Sequence, residues 1–127
     1  VLERLKLIGC RLGLASNNSK RSVERILRRF DLERLFSAVV SRNDVRRLKP
    51  HEEPILKVLK ILGSTPWKAL YVGDSVIDVI AGRRAGVHVA TIADEGAPLR
   101  SPAINGYTIK TLRGVFEVIR MLEERSF

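Results

Sequence analysis

Apolar residues recur along this chain in short bursts separated by polar punctuation. Val1, Leu2, Leu5 and Ile8 fall at helical steps with Glu3, Arg4 and Lys6 between them, and Gly9 stops the run. Arg11–Ala15 reads as a short buried strand, followed by a polar turn, Ser16-Asn-Asn-Ser19, rich in N-cap residue types. The spacing predicts an amphipathic helix over Lys20–Phe30, with Val23, Ile26, Leu27 and Phe30 on one face. Leu32, Leu35 and Phe36 continue irregularly, and Ser37–Val40 is a second strand. Ser41–Lys49 has no clean period and is predicted as loop. A helix is expected from about Glu52 to Leu62, with Ile55, Leu56, Val58, Leu59 and Leu62 inward and Gly63 as its stop. Strands are expected at Lys68–Val72 and Val87–Ile92, a loop over 93–106, a short edge strand at Tyr107–Ile109 and a last helix over Leu112–Glu124. Short strands alternating with helices predict βα units and a parallel sheet covered on both faces.

The most informative stretch runs from Ala69 to Gly86. A buried-strand pattern, Ala69–Val72, meets Gly73; Asp74 and Ser75 sit in the turn; helical spacing resumes at Val76, Ile77, Ile80, Ala81 and Arg84; Gly86 closes it. In parallel sheets, ligands bind beyond the carboxyl ends of the strands. An Asp there is a hard oxygen donor suited to Mg²⁺. Asp78, four positions on, falls in the first helical turn beside it. Two such carboxylates repel unless a cation or a Lys lies between them. The plainer alternative makes Asp74 a helix N-cap and Asp78 a dipole-favoured acid.

Two further strand-end positions share that predicted edge. Ser16 and Asn17 offer a hydroxyl and backbone N–H groups where a helix begins, an arrangement that favours phosphate. Lys49 offers a positive charge for phosphate oxygens. The plainer alternatives are an N-cap for Ser16 and a solvated loop lysine for Lys49. His51 reads as a helix-start residue and His88 as a satisfied strand histidine, while Trp67 is expected to pack beside the third strand.

Composition adds bounds. A chain of 127 residues suffices for one domain with a core. Its single cysteine, Cys10, excludes an internal disulfide and fits a reducing cytoplasm. No apolar run approaches the roughly 20 residues of a membrane span, and Val1–Lys6 lacks a signal-peptide pattern. The net charge of +9 invites anionic partners. The basic residues alternate with acids on predicted helices, however, and only 6% of residues are aromatic, so nucleic acid is not the expected partner.

Gly-Leu-Ala-Ser16-Asn17-Asn, Leu-Lys49-Pro-His-Glu-Glu-Pro and Val-Gly-Asp74-Ser-Val-Ile-Asp78 with Ala85-Gly86 resemble motifs two, three and four of the haloacid dehalogenase-like (HAD) hydrolases, in the phosphoglycolate phosphatase-like branch. The resemblance runs from about Gly13 to Ile92. It implies a Rossmann-like, three-layer α/β/α core over residues 1–127 and Mg²⁺-dependent phosphoryl transfer from a small phosphorylated substrate through an aspartyl-phosphate. It implies that Ser16 and Asn17 hold phosphoryl oxygens, and that Lys49 neutralises the phosphate and holds the nucleophilic carboxylate. Asp74 would ligate Mg²⁺ and Asp78 would support the metal and Lys49. The family's first motif, an Asp-x-Asp at the end of a central strand, is absent: the five aspartates are Asp31, Asp44, Asp74, Asp78 and Asp94. The chain reads as a core lacking that strand and the cap, with the gap between the Arg11–Ala15 and Lys68–Val72 strands. Three outcomes are expected for that gap: its edges close on each other, a second chain fills it, or a longer gene product supplies an N-terminal segment. An inactive phosphate-binding module is the alternative function, with a nucleic-acid phosphatase or binder behind it.

Overall fold

The computed structural model describes residues 1–93 and 106–125. Five helices and five strands lie within them, alternating as far as β4. In chain order they are α1 (Leu2–Leu7), β1 (Gly13–Ala15), α2 (Lys20–Arg29), β2 (Ala38–Val40), α3 (Glu53–Leu62), β3 (Leu70–Gly73), α4 (Val76–Ala85), β4 (His88–Ile92), β5 (Gly106–Ile109) and α5 (Val115–Glu124). Short 3₁₀ turns lie between them, one at Arg42–Asp44 inside the stretch predicted as loop and one at Leu112–Gly114 where a longer last helix was predicted. Of the predicted loop over 93–106, residues 94–105 lie outside the described residues.

Local sequence explains the boundaries. The Ser19 hydroxyl accepts the Ser22 amide and starts α2. Gly63 (φ 67°) and Gly86 (φ 79°) adopt the left-handed conformation that closes α3 and α4.

All strand pairs are parallel, but they form two sheets. β1 pairs with β2, in register Gly13↔Ala38 to Ala15↔Val40. β3, β4 and β5 form the second sheet, with Leu70↔His88 and Val89↔Gly106 among the partners, and β5 at its edge as predicted. The facing edges of β1 and β3 do not hydrogen-bond to each other. Of the expected outcomes for the gap, closure of its edges is not the one adopted. A cleft of about 1140 Å³ lies there, lined by the whole of β1 and β3, by α3 on one side and by α1 and α5 on the other.

α3 is the shared floor. Val58 and Leu62 pack with Ala38, Val40 and Ala15 of the small sheet. Ile55 and Leu59 pack with Ala81, Ala85, Val87 and Val89 under the large one. The other face of the large sheet, through Ala90 and Ile109, packs on Val118 of α5. Three layers result, helices over and under strands, as the α/β pattern requires.

Two helices turn a different face inward from the one their aliphatic residues suggest. In α4 the buried face is Asp78, Ala81, Gly82 and Ala85, whereas Val76, Ile77 and Ile80 are exposed, Val76 by 72%. Small residues let α4 lie close on the sheet: a Cβ on Gly82 would stand 2.5 Å from Val89 Cγ2. In α2, Val23 and Leu27 are buried while Ile26 and Phe30 face outward. Leu56 of α3 is also exposed, and Trp67 is 68% exposed instead of packing beside β3. His88 is satisfied as expected, its Nε2 lying 3.2 Å from the Trp67 carbonyl. No helix among the described residues is long and apolar enough to cross a membrane.

β1 lies tight against α3: a Cβ on Gly13 would fall 2.3 Å from Val58 Cγ1 and 3.2 Å from Leu62 Cδ1. Gly13→Ala is therefore expected to overpack this contact and cost about 1–3 kcal/mol. Urea unfolding checks it, through a lower midpoint at unchanged slope.

Candidate active site

The carboxyl ends of β1 and β3 meet at one side chain. Lys49 Nζ lies 3.2 Å from the Ala15 carbonyl oxygen at the end of β1, 2.9 Å from Tyr71 Oη on β3 and 2.9 Å from Asp78 Oδ1 at the start of α4. The ion pair is well enclosed, with the two side chains 12% and 10% exposed. Such a pair is costly to desolvate and persists only with its hydrogen bonds complete.

Its backbone support is built from the predicted turn. The Asn17 amide clasps the main chain of Lys49 at both polar atoms: Oδ1 accepts the Lys49 N–H (3.0 Å) and Nδ2 donates to the Lys49 carbonyl (3.1 Å). Ser16 donates its backbone N–H to the Val40 carbonyl (2.9 Å), and its hydroxyl accepts the Asn18 amide (3.1 Å). The Asn18 carbonyl accepts the Arg42 amide and the Asn43 side chain accepts the Lys20 amide, so the loops after β1 and β2 are laced together. Asp44 is structural. It accepts from the Ser41 amide and hydroxyl at 2.8 and 2.9 Å, and these bonds hold its carboxyl below the usual range. His51 does sit at the start of α3, its Nδ1 accepting the Glu53 amide (3.0 Å).

On the β3 side the N-cap of α4 is Ser75, not Asp74. The Ser75 hydroxyl accepts the Asp78 amide (3.3 Å). This leaves the Asp74 side chain exposed at the strand end, without a side-chain hydrogen bond among the described residues. Asp78 is the opposite case. Its Oδ1 accepts from Lys49 and Tyr71, and its Oδ2 from the Asp74 amide and the Ser75 hydroxyl, each at 3.1 Å. Four donors match the roughly four lone-pair sites of a carboxylate. Gly73 makes room for this, since a Cβ there would stand 2.4 Å from Asp78 Cβ. Burial alone would raise the Asp78 carboxyl. The hydrogen bonds from Lys49 and Tyr71, the Lys49 charge and the Asp74 amide outweigh it and pull the pKa down to about 2. Burial, then the Asp78 charge and hydrogen bond, push the Tyr71 phenol well above its ordinary value.

Ser16, Asn17, Lys49, Asp74 and Asp78 thus lie at one edge, where β1 and β3 end on either side of the cleft. Tyr71 was not among the residues singled out from the sequence. A tyrosine in an otherwise aliphatic strand was the available signal, because a buried phenol needs a partner.

A model of the haloacid dehalogenase-like hydrolases matches residues 1–92. The chain belongs to this family. Similar proteins are consistent with that placement. The curated relative pyrophosphatase PpaX from Bacillus cereus is 36% identical over 92 residues, 72% of this chain and 43% of that protein. A HAD-superfamily hydrolase of subfamily IA from Geobacter sulfurreducens is 36% identical with a TM-score of 0.78, covering 92% of this chain and 56% of that one. A HAD phosphatase from Thermococcus onnurineus, 29% identical, superposes with a TM-score of 0.84 over 93% of this chain and 54% of its own. This HAD-like chain therefore spans about half the length of the relatives it matches.

The lowered Asp78 carboxyl has a consequence for stability. A group held at about 2 in the folded state and 3.8 otherwise stabilises the fold above pH ~4. That stabilisation is lost as pH falls through about 2 and is on the order of 2 kcal/mol. The difference in unfolding free energy between the wild type and Asp78→Asn should stay constant above pH ~4 and shrink toward pH ~2, as followed by urea unfolding across that range.

Proposed function

We propose that the gene product carrying this chain is a Mg²⁺-dependent phosphohydrolase acting on a small phosphorylated metabolite through an aspartyl-phosphate. The observation that carries the reading is the Lys49 ammonium, held at the shared end of β1 and β3 between Asp78 and the turn that holds Ser16. An enclosed cation beside hydroxyl and amide donors suits a phosphoryl group.

The nucleophile enters this reading through the cleft. Each bordering strand is parallel to its own neighbour, and the edge facing the cleft has no strand partner among the described residues. The cleft exceeds the roughly 300–1,000 Å³ of ordinary small-ligand pockets. Its walls are Val58 and Leu59 below and Leu5, Val115 and Ile119 above. A parallel strand that is apolar on both faces and ends in a carboxylate fits those walls. Such a strand would come from an N-terminal segment of a longer product or from a second copy. Its carboxylate would arrive beside Lys49 and attack phosphorus as the leaving oxygen departs. Water would then hydrolyse the acyl phosphate and release inorganic phosphate.

The donor set fits a hard divalent cation in part. Asp74 is an unengaged carboxylate at the strand end, whereas the Asp78 oxygens are occupied by protein donors, so Asp74 would be the direct ligand while Asp78 orients Lys49. Among the described residues no three His, Cys, Asp or Glu side chains gather as a metal cluster, so a cation held by Asp74 would need water and the incoming carboxylate as further ligands. When bound, Mg²⁺ would offset charge on the phosphoryl oxygens. Ser16 and the Asn17 main chain hold those oxygens, and Lys49 offsets the remaining charge. The chemistry agrees with the pyrophosphate named for the PpaX relative.

The test is hydrolysis of p-nitrophenyl phosphate by the complete gene product. Activity should require Mg²⁺, and Lys49→Ala and Asp74→Ala should each lose about 10²-fold or more. Full rates in either variant would overturn the assigned roles. Phosphate binding without turnover, with or without Mg²⁺, would favour the inactive binding module instead.

A further inference from the structure

The proposed chemistry asks Lys49 to give an N–H to a phosphoryl oxygen, yet its ammonium has no N–H to spare. It carries three donors. Three acceptors already surround it: the Ala15 carbonyl, Tyr71 Oη and Asp78 Oδ1. An anion can bind Lys49 only by taking the place of one of them.

The three are not equally replaceable. Leaving Asp78 would break an enclosed ion pair and strand a buried charge. Leaving Ala15 would orphan a strand-end carbonyl that faces the cleft. Tyr71 differs from both. Its oxygen is uncharged, unlike that of Asp78, and it keeps a second hydrogen bond of its own, since its proton is already given to Asp78 at 2.9 Å. If Lys49 withdraws, the phenol keeps that bond and loses only an acceptor contact, so it is not left without a partner.

We propose that Tyr71 is a positioning residue whose hydroxyl holds the Lys49 proton destined for the bound anion and yields it when phosphate enters. The inference rests on the phosphate pocket proposed above. The phenol keeps the ammonium aimed and its protons satisfied while the pocket is empty, and phosphate binding must displace it. Removing the hydroxyl alone leaves one enclosed N–H of Lys49 without an acceptor until an anion supplies one.

The experiment is titration of inorganic phosphate into the complete gene product, as wild type, Tyr71→Phe, Lys49→Gln and the double variant. Tyr71→Phe should bind phosphate about ten- to a hundredfold more tightly, the size of one hydrogen bond from a charged donor that phosphate no longer has to displace. A Tyr71 that merely held the site in shape would give the opposite sign. The gain should vanish when Lys49→Gln is the background. Equal or weaker binding by a folded Tyr71→Phe chain, or a gain that survives Lys49→Gln, would overturn the proposal and leave the phosphate pocket standing. No phosphate binding by any form would overturn the pocket and the proposal together. A second measurement needs no variant. In a crystal structure of the phosphate-bound wild type, Nζ should sit beyond 3.5 Å from Tyr71 Oη while Tyr71 still reaches Asp78. A Lys49 that keeps all three present contacts beside bound phosphate would overturn it.

Discussion

A single enclosed ammonium group ties the two halves of this molecule together. Lys49 touches the last residue of β1, a side chain from β3 and the first turn of α4. Outside α3, it is the junction at which the two sheets are joined by hydrogen bonds from one atom. Desolvating a charge so far is tolerable only if every neighbour is polar and placed. The rest of the site serves that end. Asn17 fixes how far the Lys49 main chain reaches. Ser75 caps α4 so that Asp78 points back toward β3, and Gly73 removes the one Cβ that would push Asp78 away.

The arrangement separates two carboxylates that the sequence presents as a pair. Asp74 and Asp78 are four residues apart, and spacing alone leaves both open as ligands. The capping geometry assigns them different surroundings. Asp78 is filled with donors and held ionised, and Asp74 is left facing solvent at the strand end. Two similar groups thus acquire different chemistry from one helix start.

Most of the fold was legible in the sequence because it is written in local punctuation. Gly63 and Gly86 end helices where the pattern stops, and the strand–acid–helix stretch from Ala69 to Gly86 is what the structure contains. The positions of Ser16 and Asp74 at strand ends followed from the alternation of strands and helices, whereas Lys49 lies well past the end of β2 and reaches the edge through its side chain. What was not legible depends on pairing and approach at a distance. The outward turn of Val76, Ile77 and Ile80 follows from how closely Ala81 and Gly82 let α4 approach β4, which no helical periodicity records. The clasp by Asn17 and the bond from Tyr71 join residues 32 and 7 positions apart in the chain, so neither leaves a local motif. The split into two sheets is likewise a matter of which strand lies beside which, and only the resemblance to a family with a further central strand anticipated it.

The sharing of α3 between the sheets turns that helix into a torsion bar. One flank, Val58 and Leu62, grips the small sheet, and the other, Ile55 and Leu59, grips the large one. A small roll of the helix about its axis would swing the sheets in concert, widening or narrowing the span from Ser16 to Asp74. Under the function proposed above, the hold on an anion would then depend on the packing volume at Val58 and Leu59 as well as on the polar edge itself.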